Sequence, residues 1–180
     1  GAGIGDISSD NTTKYYFDYD DNVNNTVTYG KLYTWAAVMN GAASSDVIQS
    51  GVQGACPDGW HVPSDAEWKE LEMHLGMSQS NADDIGNRGT DEGEKLKEIG
   101  ETHWVTNNNA TNESGFTALP GGCRYDTGSF NSLGYSAYFW TTTENSTYTA
   151  WYRKLGFDYS SITRYAKEKE SGHSVRCIKD

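Results

Sequence analysis

The apolar content of this chain is carried by rings rather than by branched aliphatic side chains. Six Trp, twelve Tyr and five Phe occur in 180 residues, while Leu, Ile, Val and Phe together number only 27. With a net charge of −11, so few aliphatic residues would suit a disordered chain. The aromatic residues exclude that reading, because each ring buries a large area and disordered segments are poor in them. The sequence therefore specifies a folded, aromatic-cored domain. Its 20 Gly and its many Asn, Ser and Thr supply frequent turns. The length suits one domain.

Charge narrows the partners. No basic stripe is present to neutralise phosphates, so a nucleic-acid partner is not expected. Docking on an anionic membrane is disfavoured for the same reason. No apolar run approaches the ~18–20 residues that span a bilayer, so no transmembrane segment is expected. The chain opens on Gly1-Ala2-Gly3 without Met, which is compatible with a removed leader.

Cys56, Cys123 and Cys177 are far apart and form no CxxC pair, so neither a zinc ribbon nor a redox motif is supported. Spacing alone leaves two readings open: one disulfide with an odd thiol in an exported protein, or three reduced thiols in a cytosolic one. The place of Cys177, three residues from the end of the sequence, favours a bridge. Linking it to Cys56 would close a loop of about 120 residues, worth about 4–5 kcal/mol of chain entropy.

Periodicity and turn signals give the element order. Asp18 to Asn24 carries oxygen-bearing side chains at alternate positions, as a calcium loop does. Val23 stands where the turn glycine belongs and Tyr29 where the bidentate Glu belongs, so this is read as an acidic turn. Leu32, Trp35 and Met39 fit one helical face, with Gly41 as a stop. Pro63-Ser64-Asp65-Ala66-Glu67-Trp68 is a capping box, with Ser64 as N-cap and Glu67 three residues on. It predicts a helix burying Trp68, Leu71 and Leu75 and ending at Gly76. Residues 77–93 are expected to form a surface loop. Residues 94–99 should form a short helix with Leu96 and Ile99 inward. Short strands follow at 116–119, 138–143, 150–155 and 173–178, the middle two as a hairpin, with a turn or bulge at Pro120-Gly121-Gly122. In the last strand, Val175 and Cys177 share one face. Helices first and strands last make this an α+β chain.

Six segments in order resemble one family: Gly30-Lys31-Leu32-Tyr33-Thr34-Trp35-Ala36-Ala37, Cys56 through Trp68, Ser114 through Gly122, Phe139 through Glu144, Ala150-Trp151-Tyr152-Arg153, and Gly172 through Cys177. They look like the Fibrobacter succinogenes major paralogous domain. The Pro63–Trp68 segment is also similar to the formylglycine-generating-enzyme/sulfatase-modifying group, which implies a C-type-lectin-like fold: helices first, then a short antiparallel sheet with long loops. The resemblance covers residues 29–180, leaving 1–28 as an N-terminal extension packed on the domain. It implies an exported or surface-attached bacterial protein, often a lipoprotein, with Cys56 paired to Cys177 and Cys123 unpaired.

Catalytic constellations are not apparent. There is no GxSxG, HExxH, Walker loop or GxGxxG. His61, His74, His103 and His173 are scattered, and His61 is read as structural rather than as a base. Nothing places Glu113 beside Glu144 as a glycosidase pair. The resemblance to the formylglycine-generating group implies a copper-binding pair of neighbouring cysteines, and Cys123 is far from Cys177 in sequence.

A binding role fits better. The loops at 120–137, 143–149 and 156–171 carry the candidate ligand-binding residues Arg124, Tyr125, Asp126, Asn131, Tyr135, Glu144, Asn145, Tyr148 and Arg164, with Phe130, Tyr159 and Tyr165 beside them. Rings with amides and carboxylates suit a polyol or a protein surface. Trp140 and Trp151 are assigned to the core, and Arg124 and Glu144 to internal ion pairs. The Glu-Pro-Asn, Gln-Pro-Asp and Trp-Asn-Asp signatures of calcium-dependent sugar binding do not occur. No cofactor follows from the sequence, and calcium is the one ion left open. The sequons at Asn11, Asn24, Asn109, Asn112 and Asn145 are attributed to chance. The expectation is a non-catalytic, extracellular recognition or adhesion module for a glycan or surface protein. The alternatives are a formylglycine-generating enzyme or a structural spacer.

Overall fold

The computed structural model describes residues 4–106 and 109–180; Gly1–Gly3 and residues 107–108 of the Asn-rich loop lie outside the described residues. Its best-defined helix begins where the capping box places it. The Ser64 hydroxyl accepts from the Glu67 amide at 3.1 Å, and the Glu67 carboxylate accepts from the Ser64 amide at 2.9 Å. The helix runs Asp65–His74 and ends at Gly76, whose φ of 118° favours glycine.

The face this helix buries is only partly the expected apolar one. Asp65, Trp68 and Glu72 are buried, while Leu71 and Leu75 are only half-buried. The cause is the sheet beneath it. Four antiparallel strands run in the order Gly86–Arg88, Ile162–Glu168, Thr149–Gly156, Ser136–Glu144. Register puts Phe139, Arg153 and Arg164 side by side on one face. Arg153 and Arg164 then meet the helix carboxylates. Arg153 donates to Asp65 at 2.6 Å and to Glu72 at 2.7 Å. Arg164 holds Asp65 through Nε and Nη2 at 2.9 and 2.8 Å, and Arg88 pairs with Glu72 at 2.8 Å. Burial would raise the Asp65 carboxyl, but the two guanidiniums overcome it and hold it well below the usual range.

In chain order the strands are β1 Tyr16–Phe17, β2 Leu32–Tyr33, β3 Trp60–His61, β4 Gly86–Arg88, β5 Gly121–Arg124, β6 Phe130–Leu133, β7 Ser136–Glu144, β8 Thr149–Gly156, β9 Ile162–Glu168 and β10 Ile178–Lys179. The helices are α1 Val23–Tyr29, α2 Trp35–Met39, α3 Asp65–His74, α4 Gln79–Asp83 and α5 Glu92–Leu96. Besides the four-stranded sheet, β1–β2, β3–β10 and β5–β6 form antiparallel pairs. The result is a mixed α/β fold with no barrel among the described residues.

Three aromatic-rich clusters fill it. One joins Trp68, Trp104, Phe139, Leu155 and Ile162 between α3 and the sheet. A second gathers Trp35, Val38, Val62 and Trp140. The third sets Ile7, Phe17 and Tyr19 against Leu32, tying residues 4–22 to the domain. Three buried indole N–H groups are satisfied by backbone carbonyls: Trp35 donates to Thr141 O, Trp104 to Ala118 O and Trp140 to Tyr33 O.

Several expected elements shift. Leu32 belongs to β2 rather than to the helix after it. Residues 77–93 contain α4, capped by Ser78, and β4, where Arg88 is drawn inward by Glu72. The short helix begins at Glu92, and Ile99 is exposed while Leu96 is buried. Residues 116–119 make only a bridge from Ala118 to Lys97, and the strand begins at Gly121. The final strand is confined to Ile178–Lys179; His173 and Ser174 make single bridges to Tyr33 and Phe139. The acidic stretch becomes a 3-10 turn and the start of α1, capped by Asn22, with Asp18 paired to Lys31 at 2.6 Å.

Removing one partner of a buried pair leaves an uncompensated charge at a cost of about 3–5 kcal/mol. Arg153→Met is expected to lower the urea-unfolding free energy by about that amount at pH 7. A loss below about 1 kcal/mol, the scale of an exposed pair, would contradict this placement.

Candidate functional site

The segment Cys56-Pro57-Asp58-Gly59 turns the chain so that the Trp60 amide donates to Pro57 O at 3.1 Å. Strand alternation then sends neighbouring side chains to opposite sides. His61 is buried, and Trp60 keeps 39% of its surface exposed. Three constraints fix this short strand. β10 pairs with it, Lys179 opposite Trp60 and Ile178 opposite His61. The Cys56–Cys177 disulfide joins the two segments across 121 residues. The third constraint is the carboxylate of Glu67.

Glu67 does more than cap α3. It also accepts from the Gln49 and Ser50 amides at 3.0 and 3.3 Å, and His61 Nε2 lies 2.8 Å from it. His61 Nδ1 lies 2.7 Å from Asp180. Burial pushes the imidazole pKa down, but the hydrogen bonds and charges of Asp180 and Glu67 outweigh burial and leave it raised above 6.5. His61, bonded through both ring nitrogens, thus clamps α3, β3 and Asp180, which follows β10.

Trp60 stands between two hollows. One, of about 320 Å³, is polar and lined by Gln49, Gly51, Gln53, Gly59, His61 and Asp180 as well as Trp60. Gln53 is held there by its amide, which donates to Asp58 at 2.9 Å. The other, of about 350 Å³, is mainly apolar: Pro63, Trp68, Leu71, Phe116 and Ile178, with Arg176 and Lys179. An exposed indole on a cross-linked platform with amides and a carboxylate beside it can stack on a sugar's CH face and hydrogen-bond its hydroxyls.

The loop residues expected to bind ligand lie on different elements. Arg124 is buried over the Phe17 ring and donates to Ile4 O, Gly5 O and Tyr125 O, so it tethers the N-terminal segment through carbonyls rather than an ion pair. Arg164 is likewise buried, held by Asp65 and stacked 3.9 Å from the half-buried Trp151 ring. These two guanidiniums are committed to structure. Tyr125 is exposed beneath the Lys167 ammonium, and the Asp126 carbonyl accepts from Ile7. Asn131 is exposed on β6, opposite Cys123. Tyr135 packs edge-on to Phe157 in the turn before β7. Glu144 pairs with Lys169 at 2.5 Å, Asn145 bonds Thr149, and Tyr148 is 68% exposed in the β7–β8 turn. Glu144 and Lys169 border a further hollow of about 440 Å³ with Trp35 and Met39.

Other titratable groups are buried. His173 stacks 4.3 Å from Trp140, and burial pushes it down to about 3. Cys123 is free, buried, and pushed up to about 11 by that burial. Among the described residues no group of three or more His, Cys, Asp or Glu could hold a metal.

The sequence model of the Fibrobacter succinogenes major domain matches residues 1–179. This chain belongs to that family. No curated protein and no solved structure matches it. The Fibrobacter succinogenes major domain here takes in the N-terminal segment, whose β1 pairs with β2. No helix among the described residues is long and apolar enough to cross a membrane.

The raised His61 pKa has a defined consequence. Its stabilisation is complete below the ordinary value of 6.5 and is lost as pH rises through the higher folded value. Thermal stability is therefore expected to fall as the pH rises above 6.5, and to fall less in Asp180→Asn. An equal fall in both proteins would contradict the clamp.

Proposed function

We propose that this Fibrobacter succinogenes major domain is a non-catalytic recognition module that binds a glycan at Trp60. The carrying observation is the exposed Trp60 indole on a platform fixed by Cys56–Cys177, β10 and His61. Stacking platforms need such rigidity, since an anchor already held in place loses little entropy on binding. The polar hollow supplies what a polyol requires: the Gln49 and Gln53 amides and the Asp180 carboxylate.

We read the module as exported and presented at the bacterial cell surface, because a disulfide persists in oxidising compartments. We also take its arrangement as C-type-lectin-like, with the sugar-binding place moved from the long loops to the Trp60 platform. Formylglycine formation is the weaker reading: Cys177 is bonded to Cys56, and Cys123 is buried without a second free thiol among the described residues. A spacer would have no use for an exposed indole between two hollows.

A glycan array with the parent and with Trp60→Ala, each run with calcium and with chelator, tests the reading. The expected result is a hit that survives chelator and weakens at least tenfold in Trp60→Ala, equivalent to about 1.4 kcal/mol. A blank array, or hits unchanged by Trp60→Ala, would overturn it.

A further inference from the structure

The apolar hollow on the other side of Trp60 has a chemistry of its own. Pro63, Trp68, Leu71, Phe116 and Ile178 give it an oily wall. Arg176 and Lys179 also line it. Arg176 lies over the Phe116 ring and donates to Phe116 O at 2.6 Å. Neither cation has a carboxylate partner among the described residues. In a chain of net charge −11, two unpaired cations beside one apolar hollow are a local reversal of sign. The remaining charge there, Glu67, is already spread over His61 and the amides of Ser64, Gln49 and Ser50.

One polar atom in the wall is also unsatisfied. Trp68 is 2% exposed, and its indole N–H has no acceptor among the described residues. Trp35, Trp104 and Trp140 each have one. That N–H is fully buried and closed to the hollow, so recognition there falls to the apolar wall and the two cations.

We propose that this hollow binds an acidic peptide segment: one apolar side chain of the peptide enters between Trp60, Trp68, Leu71 and Phe116, and flanking carboxylates meet Arg176 and Lys179. A peptide fits better than a fatty acyl chain, because it can set one carboxylate on each cation around an apolar side chain, where an acyl chain carries a single carboxylate. The volume of about 350 Å³ suits one or two side chains, not a whole folded partner surface. This site shares Trp60 with the glycan reading but draws on Arg176 and Lys179, which do not line the polar hollow, so the Lys179→Gln variant separates the two.

Tryptophan fluorescence of the intact protein tests it. The probes are the acetylated, amidated hexapeptide Glu-Asp-Leu-Phe-Asp-Glu, its neutral counterpart Gln-Asn-Leu-Phe-Asn-Gln, and decanoate. Saturable binding of the acidic peptide is expected, at least tenfold weaker for the neutral peptide. It should weaken several-fold in Lys179→Gln and at least tenfold in Lys179→Gln combined with Arg176→Gln. Lys179 is exposed, so its variant keeps the fold and isolates the charge effect. Absence of saturable peptide binding, equal affinity for the neutral peptide, or affinity unchanged in Lys179→Gln would each overturn the proposal. Cation-dependent binding of decanoate without binding of the peptide would overturn it in favour of an acyl ligand.

Discussion

The interior of this protein is organised around charge. Asp65 and Glu72 on one side of α3 meet Arg153, Arg164 and Arg88 from the sheet, all nearly excluded from solvent. Desolvating such groups costs several kcal/mol per ion, which only close geometry and full hydrogen bonding offset. Close geometry is present, since Asp65 takes bonds from two guanidiniums and Arg153 bridges both carboxylates, while Glu72 Oε2 and Arg88 Nε have no hydrogen-bond partner among the described residues. The arrangement accepts one helix position and one sheet register, because a slip of either would strand charges in an apolar cluster. In a chain short of Leu, Ile and Val, directional bonds supply specificity that side-chain packing alone would leave loose.

The Trp60 platform inherits its position from this helix. α3 starts at Ser64, and Glu67 in its first turn bonds back to the loop at 49–50 and across to His61. From His61 the link runs to Asp180, and from Cys56 to Cys177. Gly54 allows the approach to α2, since a Cβ there would lie 2.1 Å from Val38 O. The two segments that carry the exposed indole are therefore held by an ion pair, a disulfide and two strand pairs of residues, not by a large core. Such a surface can present a flat ring without rearranging on contact.

Local signals were legible in the sequence. The capping box at Ser64 and Glu67, the hairpin of β7 and β8 and the stop at Gly76 depend on neighbouring residues, and they stand as read. The Cys56–Cys177 pairing was legible only through family resemblance; spacing alone left it open. What hydropathy could not give was the buried face of α3. Glu72 looks like a solvent position until Arg153 and Arg88 arrive from strands 81 and 16 residues away. Arg124 and Arg164 looked like ligand contacts for the same reason: their partners, carbonyls near the N-terminus and Asp65, are remote in sequence. Trp60 was missed because a tryptophan in an aromatic-cored chain is expected inside. Its two-residue strand, with His61 turned inward, is the signal that could have exposed it.

The account stands on α3 and the sheet being one cooperative unit through their shared charges. Native-state amide hydrogen exchange across the chain tests that directly. The amides of α3 and of β7, β8 and β9 should open with the same free energy, equal to that of global unfolding. Exchange of α3 through a cheaper, separate opening while the sheet stays protected would contradict it.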